Sequence, residues 1–62
     1  HDIEVGARVR LTRSPYLGVI AQVVTPPCMR KTVAATETEG VEVRLPDGHR
    51  VFVPLVNMEA ID

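Results

Sequence analysis

Two stretches of alternating apolar and polar residues, joined by Pro46-Asp47-Gly48, restrict the fold of this chain more than any other feature. Their apolar members are Val41, Val43, Leu45, Val51 and Val53. A two-residue Asp47-Gly48 turn would put the two sets on opposite faces of a hairpin, which a sheet with one buried face does not tolerate. A three-residue loop puts all of them on one face, with proline opening a type I turn and glycine in the left-handed position of a bulge. The sequence therefore predicts a hairpin that pairs Val43 with Val51 and Val41 with Val53.

This register also determines which side chains of the hairpin point away from the core. It places Arg44 across from Arg50, and Glu42 across from Phe52, on the outer face. Like charges that lie directly opposite each other in a sheet repel. We therefore expect either an anionic partner or a neighbouring carboxylate beside the two arginines.

Two more strands are predicted nearer the start of the chain. Residues 8–13 alternate, with Val9 and Leu11 facing in and the intervening arginines facing out. Residues 14–18 predict a turn, because their proline presets φ and their glycine permits a positive φ. Residues 19–25 are rich in β-branched side chains and end at two consecutive prolines, which cannot donate hydrogen bonds to a ladder.

The remaining segments complete the predicted fold. Residues 26–38 show no clear alternation of apolar and polar residues. Within this segment, residues 31–36 either extend a strand or lie in a long loop. Residues 54–57 are too short for an α-helix and predict a single 3-10 turn, with a last short strand at 58–61. Short strands without interior helices need closure to hide their edges. We therefore predict an all-β fold, a small five-stranded barrel with a short 3-10 turn before the last strand.

The composition restricts the class of protein. With 62 residues, the chain is one domain over residues 1–62, and because it begins with histidine we expect a domain excised from a larger protein. The formal net charge of −1 excludes a surface that attracts nucleic acid on every side, although it permits a local basic patch. No apolar run reaches the ~20 residues of a membrane span, so no membrane partner is expected.

Cysteine and histidine are too few for covalent staples or a common metal site. Cys28 is the only cysteine, and it excludes an intrachain disulfide. His1 and His49 are the only histidines, so a Cys/His metal site is not expected either. A single cysteine favours a reducing, cytoplasmic setting. No cofactor is expected, and no set of nucleophile, base and orienting group indicates an enzyme.

The stretch from Gly6 to Val23 resembles the KOW motif, found in the C-terminal domain of the transcription factor NusG, its eukaryotic relatives and several ribosomal proteins. The matching residues are Val9, Leu11, Pro15, Tyr16, Gly18 and Val23. Ser14 and Ala21 stand where this family usually has glycine. The Asp-Gly hairpin and the closing 3-10 turn are also similar to KOW domains. The resemblance implies an SH3-like barrel that binds RNA or components of the transcription and translation machinery.

Seven residues are candidates for contacts with nucleic acid or with a protein partner: Arg13, Tyr16, Arg30, Lys31, Arg44, Arg50 and Phe52. The basic ones either contact phosphates or belong to a solvated surface of mixed charge. Tyr16 is either a stacking platform or a ring packed over the barrel mouth. Phe52 is either an exposed docking aromatic or is covered by the 26–38 segment or by Ile61.

These residues predict a non-catalytic binding module. One hypothesis is an RNA-binding domain, favoured by the KOW resemblance and the arginines. The other is a module for protein–protein interaction or for structural contact with the rest of the parent chain. It is favoured by the near-neutral charge and the scarcity of aromatic residues. The sequence leaves the choice between the two open.

Overall fold

The computed structural model describes residues 3–61 and shows an all-β fold. Its elements are β1 (Arg8–Leu11), β2 (Ile20–Val23), β3 (Cys28–Lys31), β4 (Glu37–Arg44), β5 (Arg50–Pro54), a 3-10 turn (Leu55–Asn57) and β6 (Met58–Ala60). The predicted fold class is confirmed, with six strands rather than five. Within the described residues, no helix is long and apolar enough to cross a membrane.

β4 organises the sheet, because it pairs along both of its edges. Val43 pairs with Val23 of β2 on one edge and with Val51 of β5 on the other. Nearer the start of β4, β3 replaces β2 on the same edge. β1 and β6 continue the sheet beyond β2, giving the order β3-β4-β2-β1-β6 with β5 on the free side of β4. The antiparallel sheet curls into a half-barrel, an architecture compatible with an SH3-like barrel.

The first hairpin follows the predicted alternation. Val9 and Leu11 are buried while the arginines between them are exposed. In the turn that follows, Gly18 adopts φ +84° and its backbone N–H donates to the Leu11 carbonyl at 2.7 Å. Tyr16 is half-buried and packs against the core. Its use as a stacking platform stays a prediction.

The β4–β5 hairpin has the predicted register and loop. Both expected valine pairs are present, and Arg44 lies opposite Arg50. Gly48 adopts φ +93°, and its N–H donates to the Leu45 carbonyl at 2.9 Å to close the type I turn. The Leu45 N–H donates in turn to the His49 carbonyl at 2.8 Å, which completes a three-residue loop.

The long segment between the prolines and β4 contains the strand that the sequence did not predict. β3 pairs with the first half of β4, and a turn at residues 32–36 joins them. The Thr32 N–H donates to the Thr36 carbonyl at 2.7 Å, and Ala35 adopts φ +66°. Every residue of β3 is exposed, so no apolar alternation marks it. We call β3, this turn and residues 37–39 the arm.

β2 and β3 are separate strands because the chain between them cannot complete the ladder. Pro26 and Pro27 lack the N–H groups that a continuous strand would donate. The Val24 N–H donates to the Glu42 carbonyl at 2.9 Å, and the Thr25 hydroxyl accepts the Glu42 N–H at 3.0 Å. A side chain therefore satisfies the β4 backbone at the point where the neighbouring strand breaks.

The core is aliphatic and lies on the concave side of the sheet. The buried residues are Ile3, Val9, Leu11, Ala21, Val23, Val41, Val43, Leu45, Val53 and Met58. The predicted 3-10 turn is confirmed, and it positions β6 beside β1 through a hydrogen bond from the Thr12 N–H to the Asn57 carbonyl at 2.8 Å. The buried hydrophobic side chains of the strands therefore point to one side. The convex side, here called the outer face, carries mostly polar residues together with Ile20 and Phe52.

Candidate functional site

Four of the predicted site residues share the outer face of β3, β4 and β5. Arg30 lies on β3, Arg44 on β4, and Arg50 and Phe52 on β5. Their positions follow from the pairing, because Arg44 is opposite Arg50 and Phe52 is opposite Glu42. The structure therefore brings these four side chains onto one surface with Glu42 among them.

The other three predicted residues lie elsewhere. Arg13 and Tyr16 belong to the turn between β1 and β2, where the Tyr16 N–H donates to the Arg13 carbonyl at 3.1 Å. Lys31 follows Arg30 on β3, so its side chain points to the opposite side of the sheet, where it lies across from Glu37. The single sequence segment Arg30-Lys31 thus contributes only its first residue to the outer face.

Phe52 is held between a guanidinium and a glycine. The Arg30 Cζ lies 4.6 Å from the centroid of the Phe52 ring, a cation–π arrangement. The ring also lies over Gly40, where an added Cβ would be 2.6 Å from its Cζ atom. Phe52 is therefore half-buried, and the residue that covers it comes from the 26–38 segment rather than from Ile61.

Glu42 joins the two arginines that flank it. Its Oε2 atom accepts from Arg30 Nη2 at 2.8 Å, and its Oε1 atom accepts from Arg50 Nη2 at 2.9 Å and from Arg50 Nε at 3.2 Å. The hydrogen bond from Arg30 lowers the pKa of the Glu42 carboxyl most, and the hydrogen bonds from Arg50 lower it further. The hydrogen bond to Glu42 raises the pKa of Arg30, and a hydrogen bond to the Cys28 thiol raises it further. Of the two facing arginines, Arg50 has the neighbouring carboxylate that its position led us to expect, whereas no such contact joins Glu42 to Arg44 among the described residues.

A row of polar side chains crosses four strands of the outer face. The strand registers align Arg8 with Gln22, Gln22 with Arg44, and Arg44 with Arg50. Neighbouring strands are ~4.8 Å apart, so the row extends over about 14 Å. We call these four residues the arginine row. Gln22 and Arg8 were not among the predicted site residues, because their alignment depends on the pairing of β2 with both β1 and β4.

The outer face is basic although the chain as a whole is not. Among residues 3–61, it carries five arginines, Arg8, Arg10, Arg30, Arg44 and Arg50, and two carboxylates, Glu42 and Glu59. Glu59 pairs with Arg10 at 3.1 Å, outside the row. Glu37 and Glu39 lie on the opposite side of the arm. The net charge of −1 therefore hides a separation of charge between the two sides of the sheet.

Arg44 lies at the centre of this surface and is exposed. No described residue forms an ion pair with its guanidinium. A guanidinium presents five N–H donors in a planar fork that matches the oxygens of a phosphate. The arginine row with Arg44 at its centre can therefore hold phosphate groups along a line.

No group of described residues resembles a metal centre. Within residues 3–61, no cluster of three or more histidine, cysteine or acidic side chains could hold a metal ion. Cys28 is an exposed free thiol on β3, opposite Gly40. No protein-family model, curated protein or solved structure matches this chain. The function is therefore inferred from its own side chains.

Proposed function

We propose that this chain is a non-catalytic binding module that holds single-stranded nucleic acid, most favourably RNA, on its outer face. The observation that carries the proposal is the arginine row, which places three guanidinium groups and one amide along a line of about 14 Å. Phosphate contacts supply most of the affinity of nucleic-acid binding. The resemblance of residues 6–23 to the KOW motif favours RNA, and a cytoplasmic location fits this ligand.

The surface favours a single strand over a duplex. The row runs across a convex face formed by four paired strands, a shape that does not itself enter a groove of a duplex. A flexible strand can follow such a curved surface with its backbone. Beside the row, the outer plane of the Arg30 guanidinium, whose inner plane covers Phe52, offers a platform on which an unpaired base can stack.

The test compares two substitutions that each remove one positive charge. Arg44→Ala removes the central guanidinium of the row, whereas Lys31→Ala removes a charge from the opposite side of the sheet. We expect Arg44→Ala to weaken binding of a fluorescein-labelled uridine decamer about 5- to 10-fold at low salt, and to reduce the slope of log K against log salt by about 0.7. Lys31→Ala should change the affinity less than about twofold.

Fluorescence anisotropy at several salt concentrations provides the measurement. Absence of binding at low salt, or equal losses in the two variants, would contradict the proposal. If a duplex of the same length binds as tightly as the single strand, the outer face binds anions, but the proposed preference for unpaired nucleic acid is wrong. Both substitutions lie at exposed strand positions, so they leave the core unchanged.

A protein partner is the second candidate, and the arm is the observation that favours it. Met29 is 57% exposed and Val33 at the tip of the arm is fully exposed, while the outer edge of β3 has no partner among the described strands. Such an edge can accept a strand from another segment. Addition of the remainder of a parent protein should then shift the NMR signals of these two side chains, and unchanged signals would exclude this role.

A further inference from the structure

Arg30 and Arg50 hold the Glu42 carboxylate between them, and we call these three residues the clamp. The clamp has the geometry of an occupied phosphate site. Two guanidinium groups from different strands, Arg30 of β3 and Arg50 of β5, donate to both oxygens of a single carboxylate on the strand between them. Carboxylates and phosphates accept the same forked bonds from arginine. Two donors that converge on one anion from two sides would also enclose a phosphodiester group.

The clamp contributes little to the stability of the fold. Its side chains remain accessible to water, with exposed fractions of 25% for Glu42, 47% for Arg30 and 52% for Arg50. Exposed ion pairs of this kind contribute little to the free energy of folding. The strands that carry them are already paired through their backbones. The main effect of Glu42 is therefore on the two arginines, which it holds in place and one of whose two positive charges it offsets.

We propose that Glu42 is an internal substitute for a ligand phosphate, which nucleic acid must displace to reach Arg30 and Arg50. The inference rests on the proposed function, because the displacing group is a phosphodiester of the strand bound along the arginine row. Binding at Arg44 adds a contact to a guanidinium that has no ion-pair partner among the described residues. Binding at the clamp exchanges one anion for another, so it adds little net affinity while Glu42 keeps its charge.

Glu42 therefore limits the affinity of the outer face for nucleic acid. Glu42 lies opposite Phe52 and next to the row, so its negative charge also repels a phosphate chain that follows Arg44 and Arg50. Loss of this charge should release both clamp arginines for phosphate contacts. The nucleic acid should then make one or two more ionic contacts than it makes with the unchanged protein.

The experiment compares Glu42→Gln with Glu39→Gln, which makes the same change of net charge on the same strand. Glu39 lies on the opposite side of the sheet, across from Met29. For a fluorescein-labelled uridine decamer, we expect Glu42→Gln to increase the affinity about 5- to 10-fold and to steepen the salt dependence by about 0.7 to 1.4. Glu39→Gln should increase the affinity less than about twofold.

The outcomes separate the inference from the function on which it rests. If the wild-type protein binds and Glu42→Gln binds no more tightly than Glu39→Gln, the inference is wrong and the proposed function stands. If none of the three proteins binds, the proposed function itself fails. Thermal unfolding checks that Glu42→Gln folds, and Glu42→Thr, with a β-branched residue suited to a strand, serves as a second variant with the same expected result.

A direct measurement of displacement uses the unchanged protein. The carboxyl carbon of Glu42 and the Nε–H groups of Arg30 and Arg50 have NMR signals that report on the clamp. Titration with the uridine decamer should move all three signals together, because the carboxylate loses its donors as the phosphate gains them. Movement of the Arg44 signal alone, with the three clamp signals constant at saturation, would overturn the inference.

Discussion

β4 forms a hairpin with each of two neighbours, and the two hairpins are held together in different ways. With β5 it contributes buried valines, among which Val41 and Val43 have no exposed surface. With β3 it forms the arm, in which every residue of β3 is exposed and Met29 retains 57% of its surface. Among the described residues, backbone hydrogen bonds, polar side chains and the contact of Arg30 with the Phe52 ring maintain the pairing in the arm.

The difference shows what fixes a strand register in a domain of this size. A slip of one residue in the β4–β5 hairpin would turn its valines out of the core, at a large cost in buried apolar area. The same slip in the arm would expose no core residue, although it would take Arg30 away from the Phe52 ring. The pairing of the arm therefore depends on its position next to a fixed hairpin, with Gly40 as the residue that belongs to both.

Gly40→Ala should have the largest effect, because it acts where the two hairpins meet. An added methyl carbon would lie 2.5 Å from the Val53 carbonyl oxygen and 2.6 Å from the Phe52 Cζ atom. The carbonyl belongs to the backbone of β5 and cannot move without shifting the strand. We expect a loss of about 2–3 kcal/mol in the free energy of unfolding, measured with urea, in a domain with about 3–9 kcal/mol in total.

The same substitution in a Phe52→Ala background separates the two obstacles. Removal of the ring eliminates one contact and leaves the Val53 carbonyl in place. Gly40→Ala should therefore cost less in this background than in the wild-type protein, with a coupling of about 1 kcal/mol between the two positions. Equal costs in both backgrounds would show that the ring does not restrict this position.

Val43→Ala and Met29→Ala test the comparison between the hairpins directly. Val43 has no exposed surface, and its truncation removes two buried methyl groups and leaves a cavity. We expect a loss of about 2 kcal/mol for Val43→Ala and less than about 0.5 kcal/mol for Met29→Ala. Urea unfolding of both variants provides the measurement. Similar losses would mean that the arm packs against apolar surface in solution.

The same contrast explains how much of the fold the sequence predicted. The hairpin of β4 and β5 was predicted to the residue, because five alternating apolar residues and one loop allowed a single register. β3 was missed because Cys28-Met29-Arg30-Lys31 has neither apolar alternation nor a buried face. Its pairing follows from the β4 backbone, which extends beyond the apolar pattern to Glu37.

The candidate site was predicted in part for a related reason. Within one hairpin, the register correctly placed Arg44 opposite Arg50 and Glu42 opposite Phe52. The contact between Arg30 and Phe52 required the unpredicted strand. The alignment of Arg8 with Arg44 passes through Gln22 and needs two further registers that connect distant parts of the chain. Sequence patterns determine registers within a hairpin more directly than they determine registers between hairpins.

The two turns offer a test in which opposite substitutions have opposite effects. Gly48 has φ +93° and Ala35 has φ +66°, so the β4–β5 turn uses glycine where the arm uses alanine. Gly48→Ala should cost about 1–2 kcal/mol through backbone strain alone, because no atom lies near the added methyl. Ala35→Gly should relieve strain in the arm and stabilise the protein by up to about 1 kcal/mol.

Ala34→Gly is the matched control for the arm turn. Ala34 lies next to Ala35 and is not among the described residues with a positive φ. Glycine at this position relieves no strain and increases the entropy of the unfolded chain, so a loss of about 0.5–1 kcal/mol is expected. A loss of stability in Ala35→Gly equal to that in Ala34→Gly would contradict the left-handed conformation of the arm turn.

The smallest expected effect is a pH dependence confined to the β4–β5 turn. The Asp47 carboxylate accepts the His49 backbone N–H at 2.9 Å and lies 2.8 Å from the ring Nδ1, which raises the pKa of His49 above its ordinary 6.5. A histidine whose pKa is higher in the folded state than in the unfolded state stabilises the fold when it is protonated. This stabilisation is complete at a pH below the pKa of the unfolded state, and it is lost as the pH rises through the pKa of the folded state. The turn should therefore be weaker at pH 8 than at pH 6.

An NMR titration of the His49 ring checks this prediction, with His49→Gln identifying its signal. The midpoint should lie above 6.5 in the wild-type protein and return toward it in Asp47→Asn, which keeps the shape of the side chain but removes its charge. The arm turn is joined by the hydroxyl groups of Thr32 and Thr36, 3.0 Å apart, and neither titrates. Amide signals of residues 32–36 should therefore stay constant over the same range. A midpoint at 6.5 in both proteins, or signals of residues 32–36 that shift with those of the hairpin, would show that the two turns do not differ in this way.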